Sequence, residues 1–205
     1  MTIKLEKKHL ILGAVVIVVC LVMGFGYHFY SVYSYEQNAK EFKARSSAIL
    51  MPIAVVLDDY QKNWRSAIFD HEAYDETGRS RYCSDFNTAI GWRKDALKKV
   101  VSLIDSYFYH IEKLMKEMDN PPSKFERVQE KFVDIYNDLY KLKRQCNSPE
   151  GSLQTFSNEV NNLVSDIHTN MNETDITIPH DTKLMTKYID EFTESMKMIA
   201  KVSEE

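Results

Sequence analysis

Glycine is scarce, with six in 205 residues and several of those inside the apolar N-terminal run. Little backbone is left for a loop that cradles a phosphate, and no G-x-S-x-G nucleophile elbow occurs. A basic surplus is also missing. Lys and Arg number 26 against 30 Asp and Glu, and both signs mix along the chain. That excludes the positive surface that gripping nucleic acid requires. The six histidines are scattered one to a segment, so each reads as a satisfied surface or core group rather than a ligand.

One fragment approaches a metal pattern. In "HEAYDETG", His71 and Glu72 match the start of the HExxHxxG zinc-protease arrangement, but Asp75 replaces the second His. Arg81 stands where a third ligand would fall, and a guanidinium does not bind metal. The expectation is therefore a protein that is not an enzyme, with no cofactor and no metal.

Charge is absent from one long stretch. No Lys, Arg, Asp or Glu lies between His9 and Tyr35. The run 10–30 is long enough for a transmembrane helix, which needs about 20 apolar residues. Lys4, Lys7 and Lys8 precede it and the next basic residue is Lys40, so the tail 1–9 is expected in the cytoplasm. The body, 31–205, then lies in the periplasm or outside the cell. Tyr27, Phe29, Tyr30 and Tyr33 suit the headgroup layer at the exit. The run is long for a cleaved signal peptide and its flanks fit one poorly, which favours an uncleaved signal-anchor.

Beyond the membrane the periodicity is helical, and no segment alternates like a strand. Tyr35, Ala39, Phe42, Ile49, Ile53, Val56 and Tyr60 form a near-heptad stripe, with Pro52 expected to kink or divide the helix. Ser84 or Asp85 caps a second helix, which stops at "DNPPS". Ser123 and Glu126 form a capping box for a third. Ser148 and Pro149 open a fourth, and Met185 to Ile199 mark a fifth. The expected fold is all-α: a single transmembrane helix, then an antiparallel up-and-down bundle of four helices plus a C-terminal fifth. Gly13, Cys20 and Gly24 share a face of the span, so a homodimer through the transmembrane helix or the heptad stalk is possible.

The body contains two cysteines, Cys83 and Cys146, near connections expected at the same membrane-distal end. An oxidising compartment permits a disulfide between them. The second helix is longer than the third, so that bridge needs a bend, for which Gly91 is suited. Around the same connection lie Trp64, Tyr74, Arg79, Arg81, Tyr82 and Trp92, residue types that dominate binding hot spots. They define an expected partner-binding tip.

Two functions follow. One is a non-enzymatic protein-interaction or scaffold component of the cell envelope, whose protein partner the sequence does not identify. The other is a sensory or ligand-binding ectodomain. In layout alone the chain resembles LemA-type proteins and the ectodomain of a four-helix chemoreceptor. Chemoreceptors carry a second span and a cytoplasmic signalling region that are not read in this sequence, so a sensor of this layout is expected to signal through a membrane partner.

Overall fold

The computed structural model describes residues 7–201, with side chains for 15–199 and 201. The expected cytoplasmic tail lies largely outside the described residues. Five helices make up most of the chain: α1 (Lys7–Phe69), α2 (Phe86–Glu117), α3 (Glu126–Asn147), α4 (Leu153–Thr174) and α5 (Thr182–Lys201). The all-α class is the observed one.

α1 has 63 residues, about 94 Å at 1.5 Å per residue. Its N-terminal part is long and apolar enough to cross a membrane. Every residue from Val15 to Tyr30 is exposed. From there outward burial becomes periodic, and Tyr35, Ala39, Phe42, Ile49, Ile53, Val56, Tyr60 and Trp64 enter the main core. α1 runs through Pro52 without a break, so the expected division does not occur. Proline removes one backbone donor there, but Ile49, Ile53 and Val56 are packed on both sides of it and hold the helix together.

The other helices pack on this outer half of α1, α3 also against α4 and α2, and α5 against α2. Phe125 stacks on Tyr35 and Phe132 meets Phe42, so α3 advances along α1 from the same end. Asp59 pairs with Arg93 and Trp64 stacks on Phe86, placing the start of α2 beside the end of α1. Lys43, almost wholly buried, pairs with Asp175 and donates to the Ile178 carbonyl at 2.7 Å, fixing the α4–α5 connection against α1.

Caps decide where the helices begin. Asp85 accepts from the Asn87 and Thr88 amides and starts α2. At α3 the capping box does not form. Ser123–Phe125 is a 3-10 turn, and Phe125 precedes the helix with no side-chain cap, because its ring is held on Tyr35. α4 begins four residues later than expected: Ser152, not Ser148, accepts from the Thr155 amide. Gly151 has φ +98°, a left-handed turn that redirects the chain there at no Cβ cost.

Two expectations about the connection between α1 and α2 are corrected. It holds a β-hairpin, β1 (Glu72–Tyr74) paired antiparallel with β2 (Ser80–Tyr82). Strands of three residues are too short to show alternation in the sequence. Cys83 and Cys146 are free thiols, so the expected disulfide is absent. Cys83 lies in a small cluster with Ala67, Ala73 and Ala89 at the end of α1, whereas Cys146 sits in the main core with its thiol toward the Ile53 carbonyl. Ala67 lies fourteen residues beyond Ile53, about 21 Å along the helix, and a disulfide needs Cα atoms within about 7 Å. α2 runs unbroken through Gly91, from Phe86 to Glu117.

Candidate functional site

The hairpin is the feature that departs from plain helix packing, and the chain anchors it from three sides. α1 ends at Phe69, and His71 takes φ +56° to turn the chain back. Asn63 is 2% exposed and reaches out of α1 to the hairpin and to α2. Its Nδ2 donates to the Ala89 carbonyl at 2.9 Å and the Tyr74 carbonyl at 3.2 Å. Its Oδ1 accepts from the Tyr74 amide at 2.6 Å. One amide side chain therefore ties three elements.

Asp75 organises the turn between the strands. Its Oδ1 accepts from the Thr77 hydroxyl and from the Thr77 and Arg79 amides, while Oδ2 faces Arg81 Nε at 2.5 Å. The Thr77 hydroxyl, followed by the two amides and the Arg81 charge, lowers the Asp75 carboxyl to about 2. Gly78, at φ +79°, completes the turn. Arg93 of α2 closes the third side. It grips Asp59 with Nε at 2.7 Å and Nη2 at 3.0 Å, and its Nη1 donates to the Asp75 carbonyl at 3.3 Å. A bidentate arginine pair is a directional contact, so the hairpin holds one orientation on the bundle.

The residues singled out from the sequence separate into two groups. Trp64 is 4% exposed and wedged between Phe86 and Phe156, each with ring centroids 5.7 Å away, so it belongs to the core. Trp92 is half-buried against the small cluster around Cys83. Arg81 is half-exposed and held by Asp75. Tyr82 and Tyr74 are 76% and 53% exposed, and Arg79 is exposed with them. Strand pairing explains the split. Glu72, Tyr74, Ser80 and Tyr82 share the outward face, and Ala73 with Arg81 the inward one. Phe69, 69% exposed, adds a further aromatic ring at the end of α1.

Sequence reasoning did not single out Phe69 or Asn63, named Arg93 only as one of the arginines near the tip, and met Asp75 only in the failed metal pattern, not as the residue that organises a turn. The "DETG" turn at 75–78 was the legible signal for Asp75, since Asp and Gly at those positions favour a tight turn. His71, Glu72 and Asp75 lie in the hairpin rather than on a helix, so the one-turn spacing of the zinc-protease pattern does not apply. Glu72 instead accepts from the Ser80 hydroxyl at 2.8 Å.

Elsewhere, an apolar groove of about 360 Å³ runs between α1, α2 and α5, lined by Met51, Val55, Leu97, Val100, Ile189 and Met196. The fold and this tip define a mostly helical protein with one N-terminal helix long and apolar enough to cross a membrane. No protein-family model, curated protein or solved structure matches the chain.

Proposed function

We propose that the chain is a single-pass, membrane-anchored interaction protein of the cell envelope, non-enzymatic, with its hairpin tip as the surface that meets another protein. The N-terminus of α1 stays in the cytoplasm and the body stands on the opposite side. α1 to α4 form an antiparallel up-and-down bundle, and α5 lies along α1 and α2. The register of Phe125 on Tyr35, Phe86 on Trp64 and Phe156 on Trp64 supports that arrangement.

The carrying observation is the braced hairpin with Tyr74, Tyr82 and Phe69 turned outward. Exposed aromatic rings on a rigid support give contact area at low entropic cost, which is how interface anchors work. The contiguous hydrophobic core between the helices fits a protein partner better than a polar ligand pocket. The sensory reading draws on one feature, the apolar groove between α1, α2 and α5, which suits an apolar ligand.

Photo-crosslinkers placed at Tyr82 and Tyr74, and at Tyr109 and Tyr140 on the bundle flank, test the proposal in intact membranes. A discrete protein adduct from the tip positions, lost on Arg79→Ala with Phe69→Ala, is the expected result. Adducts from the flank alone would remove the tip as the binding surface.

A further inference from the structure

We propose that the body sits directly on the bilayer, with the α2–α3 turn, residues 119–124, lying in the phospholipid headgroup layer and Lys124 facing lipid phosphates. This rests on the reading of α1 as a membrane-crossing helix.

The argument starts from how abruptly α1 changes character. Every described side chain through Tyr30 is exposed, yet Ser31 and Val32 are already half-covered and Tyr35 is 5% exposed. No free stalk separates the span from the body. Phe125 covers Tyr35 with ring centroids 4.6 Å apart, and the Tyr35 hydroxyl donates to Gln129 at 2.7 Å. Tyr35 is five residues beyond Tyr30, about 7.5 Å along the helix. The headgroup region adds roughly 5–8 Å per leaflet to the hydrocarbon core. Phe125 therefore marks the outer edge of that region.

The turn lies on the membrane side of Phe125. α3 moves away from the span as it proceeds, since its next aromatic, Phe132, meets Phe42. α2 comes down to Met118, which is buried, and the chain then crosses through "DNPPSK" to start α3. Asp119, Asn120, Ser123 and Lys124 are exposed, and Pro121 and Pro122 half-covered. The two prolines bring apolar rings and no backbone N–H, which suits a partly dehydrated layer. Lys124 lies over the Phe125 ring, and Lys124 and exposed Arg127 line one surface depression. Glu36 nearby pairs with Lys40 at 2.7 Å and feels the Lys124 charge as well, so Lys124 shares that carboxylate with Lys40 and can also meet a phosphate oxygen. Ile176, exposed at the start of the α4–α5 connection, lines the same depression, so an apolar side chain stands beside these cations.

The test uses the full chain in phosphatidylcholine–phosphatidylglycerol vesicles, with Cys20→Ala as background and the buried Cys83 and Cys146 left in place. Spin labels at Val18→Cys, Ser123→Cys and Arg79→Cys are compared for collision with oxygen and with a water-soluble nickel chelate. The expected result is Val18 in hydrocarbon and Ser123 several-fold less accessible to nickel than Arg79. Ser123 as nickel-accessible as Arg79, with Val18 still in hydrocarbon, would overturn the seated body and leave the anchor intact. A Val18 label open to nickel would remove the anchor, and the proposal with it.

Discussion

Asn63→Ala is the sharpest perturbation of the hairpin brace. The amide makes three hydrogen bonds, to the Ala89 carbonyl and to both backbone groups of Tyr74, and it is buried where water does not replace it. Each bond is worth about 1 kcal/mol net, and a donor left unpartnered costs about 1–3 kcal/mol. Alanine returns roughly 0.5 kcal/mol through its higher helix propensity within α1. The expected loss is about 2–4 kcal/mol. With a urea slope near 2 kcal/mol/M, the midpoint falls by about 1–2 M. Urea unfolding of the full chain in detergent, followed by far-UV circular dichroism, reads the global term. Hydrogen exchange at the Tyr74 and Cys83 amides reads the local one, and both should lose protection. Asn63→Asp should do no better, because it sets a carboxylate against two carbonyls. A midpoint close to the parent's, with the hairpin amides still protected, would show that the hairpin is held by something else.

Asp75 gives a pH signature. Its folded carboxyl is lowered to about 2, below the unfolded value near 4, so its contribution is complete above pH 4 and fades as pH falls through 2. Thr77 and Arg79 amide shifts should move across that window, and Asp75→Asn should abolish the movement; amides that titrate identically in the variant would contradict this. Alkylation in denaturant without reductant should add three groups, because Cys20, Cys83 and Cys146 are free. In the folded chain Cys146 should stay unmodified, since burial pushes its thiol up to about 12. A mass showing one alkyl group would mean a bridge. Tyr60→Phe should cost about 1–2 kcal/mol in the same urea assay, because the Tyr60 hydroxyl donates at 2.9 Å to the Cys146 carbonyl in the last turn of α3. No change in midpoint would place water there instead.

Much of the helix layout was legible. The stripe on α1 and those on α3 and α4 carry their own 3.6-residue period, so Phe42, Phe132, Phe156 and their neighbours were readable as core before any contact was known. Asp85 was equally readable as a cap. The misses have a shared cause. Ser148 and Ser152 both look like caps, and Gly151 decides between them only through its left-handed backbone. The continuity of α1 through Pro52 depends on the residues that pack around it.

The candidate site was legible as a neighbourhood and not as a surface. An apolar N-terminal helix, five helical segments and the position of an aromatic-rich connection follow from the local order of residue types alone. Packing is what turns Trp64 inward and Tyr82 outward, braces a hairpin with Asn63 and Arg93, and holds the two body thiols far apart. Each of those outcomes depends on contacts between residues distant in sequence, whose depth along α1 no local pattern records.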